Sequence, residues 1–151
     1  MTSEFTIGLH VLGFLTARDG EPLTSDVLAR TYGTSPVVLR RVLGKLKRAG
    51  LVTTRRGAGG GSVLAQAPCE INLLDVLTAV TDTPALLPRH PGEGAGPAQV
   101  LAAYINDIYA DAEAALFERL AAVSIEQMDS EVRPEICAAL ESSRLVAVSR
   151  A

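Results

Sequence analysis

The stretch Thr34–Gly61, TSPVVLRRVLGKLKRAGLVTTRRGAGGG, decides the fold. Ser35 is a favoured N-cap residue and Pro36 is favoured at the first helical position, so a helix begins here. Over about residues 36–49 the apolar side chains follow the i, i+3, i+4, i+7 spacing of one buried helix face. They are Leu39, Val42, Leu43 and Leu46. Gly50 then ends this helix.

The residues before this helix predict two more helices. Residues 4–17 are apolar on more than one face, which indicates a helix buried on several sides. A short helix capped by Thr24 or Ser25 follows, and Gly33 sits where a left-handed residue would close it. Because the next helix starts by Pro36, the two form a helix-turn-helix.

A glycine-rich hairpin follows. Residues 51–54 and 62–65 have β character and flank the basic segment 55–61, so they predict a β-hairpin wing. Asn72 then caps an amphipathic helix, and the prolines and glycines of residues 82–97 form a linker.

A long helix is predicted over residues 98–123, and its apolar residues form a seam for another helix. The seam consists of Leu101, Ile105, Ile108, Ala112, Leu116, Leu120 and Val123. Such a helix beyond a linker has no partner inside so small a domain, so a second copy of the chain is the simplest partner. Ser124 starts a short turn, and a final helix is expected over about residues 134–148.

These patterns predict a mainly α fold with a small β-hairpin wing. A winged helix-turn-helix DNA-binding domain is expected at residues 1–82, a linker at 83–97 and a helical dimerisation region at 98–151. With 48% hydrophobic and 21% charged residues, the chain can bury a core. It has no apolar run long enough to span a bilayer, no basic N-terminal region of a secretory signal and too few cysteines for a disulfide framework. We therefore expect a reduced, cytoplasmic protein.

Charge is unevenly distributed along the chain. Residues 1–65 carry nine Lys/Arg and four Asp/Glu, a charge of +5; residues 66–151 carry five and thirteen, a charge of −8, and the two give the net −3. Residues 40–56 hold seven basic residues and no acidic one. A charge run is often only a solvated helix face, but this asymmetry suggests that the first half meets a polyanion.

Five segments resemble the Rrf-two (Rrf2) family of bacterial transcription regulators, in the family's order and spacing. The segments are Gly8–Leu12, Thr34–Arg41, Leu46–Val52, Arg55–Gly61 and Ile71–Val76, within about residues 5–82. The most specific part is AGLV followed by RGAGGG. The resemblance implies a sequence-specific DNA-binding regulator, which we expect to be a repressor that binds an inverted-repeat operator as a homodimer.

The sequence departs from the iron–sulfur members of this family. Those members carry three closely spaced cysteines in the region that matches residues 82–97, where this chain has none. We therefore expect no iron–sulfur cluster and no other cofactor, as in the cluster-free members.

DNA contacts are expected from the third helix, which is the recognition helix, and from the wing. Arg40 and Arg41 suit guanine, and Val37 suits a thymine methyl. Ser35 and the basic residues near the helix end are placed to bind phosphates. Arg56 can enter a narrow minor groove, and the wing glycines allow the main chain to approach the groove wall closely. The expected contact residues are Ser35, Pro36, Val37, Arg40, Arg41, Lys45, Lys47, Arg48, Arg55, Arg56, Gly57, Gly59 and Gly60.

Other functions have weaker support. Nucleotide binding at the glycines is disfavoured because Ser62 breaks the G-x-G-x-x-G pattern and a strand follows. His10 and His90 belong to no metal or catalytic spacing, so we expect no enzyme. A winged helix that binds protein instead of DNA is the main alternative, although its outer face should then be apolar or acidic. Cys69 is a possible redox thiol, whereas Cys137 falls in an apolar stripe typical of packing.

Overall fold

The computed structural model describes residues 3–81, Leu87 and residues 96–134. This part of the chain is mainly helical and contains one antiparallel hairpin. In chain order the elements are α1 (Ser3–Ala17), α2 (Ser25–Tyr32), α3 (Pro36–Arg48), β1 (Val52–Arg55), β2 (Gly61–Leu64), α4 (Leu73–Val80) and α5 (Pro97–Ala121). A further helix begins at residue 125 and is described to residue 134.

The helix-turn-helix has the predicted boundaries. The Thr24 hydroxyl accepts the Val27 N–H at 3.3 Å to cap α2, and Gly33 closes this helix with φ of 74°. The Ser35 hydroxyl accepts the Val37 N–H at 3.3 Å and caps α3. Local capping chemistry therefore fixes where α2 ends and where α3 begins.

The core lies between α1, α3 and α4. As predicted, α1 is buried on several sides, through Phe5, Ile7, Val11, Leu12 and Leu15, and α3 buries Leu39, Val42 and Leu46. Helices α1 and α4 approach so closely that a Cβ atom on Gly8 would lie 3.0 Å from Val76 Cγ1. This packing holds α3 with one face against the core and the opposite face toward solvent.

The hairpin is tied to the helix-turn-helix by more than its own two strands. Its register runs from Val52 opposite Leu64 to Arg55 opposite Gly61. Leu23, just before α2, adds a bridge to Ser62. The Leu23 N–H donates to the Ser62 carbonyl and the Ser62 N–H to the Leu23 carbonyl, with N···O distances of 3.0 and 2.8 Å. The wing therefore has a fixed position relative to α2.

Helix α5 has the predicted length but only part of the predicted environment. Its last turns pack on the core through Leu116, Phe117 and Leu120, and the Ile125 N–H donates to the Ile71 carbonyl at 2.8 Å just beyond it. The expectation that the whole seam lacks a partner inside the chain is therefore wrong for its C-terminal part. Near the other end of α5, Leu101 and Ile108 are exposed.

The chain also becomes helical again earlier than predicted. The Ser124 hydroxyl accepts the Gln127 N–H at 3.1 Å and caps a helix that starts at residue 125, not near 134. Most of the predicted linker at 83–97, the predicted final helix beyond residue 134 and Cys137 lie outside the described residues. Among the described helices, none is both long and apolar enough to cross a membrane.

Candidate nucleic-acid interface

The outward face of α3 combines one apolar residue with several basic ones. Val37 is 71% exposed, and Arg40, Arg41 and Arg48 are exposed as well. Counted from Val37, Arg40 and Arg41 lie three and four residues along the helix, Gly44 seven and Arg48 eleven, so these positions share one face of the helix. Ser35 and Pro36 are exposed at the N-terminus of the same helix. The face therefore presents guanidinium groups and a helix N-terminus to solvent.

Lys45 does not belong to this face. Its side chain is 11% exposed, and its Nζ donates to the Val80 carbonyl at 2.9 Å and lies 3.0 Å from Glu4 Oε2. Lys45 is among the expected DNA contacts, but its side chain turns toward α1 and α4, which supply the Glu4 carboxylate and the Val80 carbonyl as acceptors at the edge of the apolar stripe. Lys47, by contrast, is exposed and its Nζ lies 3.4 Å from the Thr54 hydroxyl on β1.

Two carboxylates, absent from the predicted site, lie beside the recognition helix. Glu4 on α1 places Oε1 2.6 Å from Arg41 Nε, and Asp26 on α2 places Oδ1 3.5 Å from Arg40 Nη2. No acidic residue lies within residues 40–56, so the sequence around α3 carries no signal of either pair. Only the packing of α1 and α2 beside α3 brings them together.

The wing presents Arg56 and the glycine tip next to this helix. Arg56 is exposed, and Arg55 Nη1 donates to the Gly20 carbonyl at 3.1 Å, which links the end of β1 to the turn after α1. A Cβ atom on Gly60 would lie 2.4 Å from the Arg55 carbonyl oxygen, and one on Gly61 would lie 2.6 Å from the Leu23 backbone. The hairpin thus needs these two glycines for its own geometry, a reason that the sequence interpretation did not give.

The predicted tip residues Gly57 and Gly59 complete the turn. Both have positive φ, 103° and 78°, and the Gly60 N–H donates to the Gly57 carbonyl at 3.0 Å. A turn closed in this way, on strands that are bridged to Leu23, is a defined projection and not a floppy loop.

Cys69 lies exposed on a single 3₁₀ turn, Pro68–Glu70, that follows the wing. Iron–sulfur clusters are held by several thiolates. The whole chain has two cysteines, Cys69 and Cys137, and the whole of α4 and α5 lies between them in the sequence. In the described part of the chain, no three His, Cys, Asp or Glu side chains are grouped so that they would hold a metal ion. The donor set does not fit a cluster held by three closely spaced cysteines.

Comparison with known proteins gives a consistent family. The Rrf2 family model, described as an iron-dependent transcriptional regulator, matches residues 1–131. YwnA of Bacillus subtilis is 33% identical over 90 residues, which cover 60% of this chain and 65% of YwnA. The HTH-type transcriptional regulator NsrR of the same organism is 37% identical over 83 residues, which cover 54% of this chain and 57% of NsrR. The chain spans about half to two thirds of the length of these relatives.

A solved structure supports the same assignment. CymR, the global cysteine regulator of B. subtilis, aligns with a TM-score of 0.66 at 27% identity, over 87% of this chain and 96% of that chain. Since the family model spans most of the sequence and the fold agrees, the chain belongs to the Rrf2 family of transcriptional regulators.

Proposed function

We propose that the chain is a sequence-specific DNA-binding regulator that acts in the cytoplasm as a repressor and binds an inverted-repeat operator as a homodimer. The observation that carries the proposal is the exposed, basic face of α3 beside a fixed, glycine-tipped wing. A helix fits the major groove of B-DNA, and the first turns of a recognition helix reach base edges. A bound dimer represses by covering the promoter.

The exposed residues divide into two kinds of contact. Val37, Arg40 and Arg41 lie in the first turns of α3 and read bases, with each arginine able to donate two bonds to guanine. Phosphate contacts come from Ser35, Lys47, Arg48 and Arg55. At the wing, Arg56 enters the minor groove, and the main chain of Gly57, Gly59 and Gly60 approaches the DNA beside it. Lys45 is left out of this set because its side chain is turned into the protein.

The N-terminal half of α5 supports the homodimer. Four large apolar side chains are exposed there: Val100, Leu101, Tyr104 and Ile108. Two of these, Leu101 and Ile108, belong to the predicted seam and lie seven residues apart. Exposed apolar patches mark interaction sites, and a seven-residue spacing fits a helix of a second copy. Two-fold pairing of α5 would relate two α3 helices by the same axis, which is why the operator is an inverted repeat.

Sedimentation tests the dimer. At micromolar concentration the parent chain should sediment as a dimer, and Leu101→Glu and Ile108→Glu should each shift it to a folded monomer. Val27→Glu is the matched control because Val27 is an exposed apolar residue on α2, away from α5. A folded monomeric parent would contradict the proposed dimer.

We also propose that the regulator binds no iron–sulfur cluster. The support is the donor set, which consists of one exposed thiol at Cys69 and a second, Cys137, far along the sequence. A redox role for the Cys69 thiol is tested by comparing DNA binding of the parent and Cys69→Ser before and after peroxide treatment. Loss of binding confined to the parent would assign Cys69 a redox role, and equal behaviour would remove it.

DNA binding is tested first by selection from a random duplex pool, followed by affinity measurements on the selected and random duplexes over a range of salt. We expect discrimination of about 10³-fold or more, an inverted repeat in the selected sequence and affinity that falls steeply with salt. Absence of binding to any duplex at low salt would refute the proposal and favour the winged-helix protein-interaction module instead.

A further inference from the structure

Glu4 is joined through both carboxylate oxygens to the recognition helix. Oε1 lies 2.6 Å from Arg41 Nε, and Oε2 lies 3.0 Å from Lys45 Nζ. We infer that Glu4 is a specificity-determining positioning residue, which holds the Arg41 guanidinium in the orientation that reads one base pair. The inference rests on the proposed DNA-binding function.

Glu4 is suited to this role because it is itself held in place. Its side chain is 15% exposed, and its cationic partner Lys45 is bonded to the Val80 carbonyl at the end of α4 at 2.9 Å. The chain of contacts therefore runs from α4 through Lys45 and Glu4 to Arg41. An exposed ion pair usually gains little because two long side chains must be ordered together. Here one partner is already ordered by the core, so only Arg41 loses freedom.

The atom that Glu4 engages decides what Arg41 can do. The contact is to Nε, on the inner part of the guanidinium, while the Arg41 side chain remains 61% exposed. The two terminal nitrogens lie at the far end of the planar group, where they can donate two hydrogen bonds to guanine O6 and N7. Glu4 thus fixes the plane of the guanidinium without using that end, and it lowers the entropy that Arg41 loses on binding.

The second carboxylate beside α3 provides a matched comparison. Asp26 lies 3.5 Å from Arg40 Nη2, and both side chains are largely exposed. No buried cation holds Asp26 in the contacts that the structure gives it. A long, exposed pair of this kind is expected to contribute little. Asp26→Asn therefore removes a carboxylate near the same surface without removing a positioned one.

The experiment measures the affinity of the full chain for the selected duplex, for random duplex and for duplexes with one base pair changed at a time. Glu4→Gln should lower the ratio of selected to random affinity by about two- to twelvefold, the cost of ordering one long side chain. The loss should fall on the same base pair whose preference Arg41→Ala relaxes. Asp26→Asn should leave the base profile unchanged, and Glu4→Gln should add nothing in the Arg41→Ala background.

Each result separates this inference from the proposed function. If the parent chain itself shows no base preference, the proposed function fails. If the parent discriminates but Glu4→Gln leaves the profile unchanged, or changes it equally in the Arg41→Ala background, the positioning role is refuted. Should Glu4→Gln not fold, Glu4→Asp is measured instead, because it keeps the charge and the Arg41 guanidinium but withdraws the carboxylate from Arg41 Nε by one methylene. An unchanged base profile in that variant would overturn the inference.

Discussion

Gly44→Ala should make the protein more stable and a weaker DNA binder. Gly44 lies in the middle of α3, on the same exposed face as Val37 and Arg41. Glycine in a helix interior costs about 0.5–1 kcal/mol relative to alanine. An added Cβ would meet only Arg48 Nη1, at 3.7 Å, an ordinary contact with the end of a flexible side chain. The substitution should therefore raise the melting temperature by about 1–4 °C.

The same methyl group should weaken DNA binding because it would stand between the helix and the groove. A helix with its side chains is about 10–12 Å across, close to the roughly 12 Å width of the major groove, so little clearance remains. Displacing α3 by a fraction of an ångström lengthens the contacts of the flanking arginines. We expect a loss of about 1–3 kcal/mol on the selected duplex, the range of one good base contact.

The assay pairs thermal unfolding with duplex titration, and Gly13→Ala is its matched control. Gly13 is inside α1, and its added Cβ would lie 3.7 Å from Met128 Cε, so this variant should also gain stability. It lies outside α3 and should bind DNA as the parent does. If Gly44→Ala is stabilised but binds the selected duplex with full affinity, this face of α3 does not lie against DNA. If Gly44→Ala is destabilised, the conclusion that α3 has room for the added Cβ is wrong.

Two further predictions follow from the wing and from the cysteines. Gly61→Ala should lower stability by about 1–3 kcal/mol, because the new Cβ would lie 2.6 Å from the Leu23 backbone, and chemical denaturation of the parent and variant checks this. Protein purified without oxygen should be colourless and free of stoichiometric iron and sulfide, since Cys69 and Cys137 are the chain's two thiols; visible absorption with both elements present would contradict it.

Short-range chemistry made the helix-turn-helix predictable from the sequence. Thr24, Gly33, Ser35 and Pro36 act on the backbone within a few residues of themselves, so their effect does not depend on the rest of the fold. The hairpin was predictable for the same reason, since β-forming segments flank a run of glycines. The role of Gly61 was not, because its crowding comes from Leu23, which is distant in sequence.

Long-range packing accounts for what the sequence interpretation missed. Lys45 lies at the edge of the apolar stripe of α3, where helical periodicity leaves its direction undecided, and its acceptors come from α1 and α4. The regular spacing along α5 likewise predicts a partner but not which one. Leu120 packs on the chain's own core, whereas Leu101 is exposed. Periodicity describes a helix face, and only the tertiary fold identifies its neighbour.

Comparing Arg41→Ala with Lys47→Ala tests the central claim most directly. Each variant is titrated with selected and random duplex over a range of salt. If α3 reads bases with its first turns, Arg41→Ala should cost about 1–3 kcal/mol on the selected duplex and relax preference at one base pair. Lys47→Ala should weaken both duplexes alike and lower the salt slope by about one ion. Equal weakening of both duplexes by Arg41→Ala, with discrimination lost in Lys47→Ala, would contradict the account.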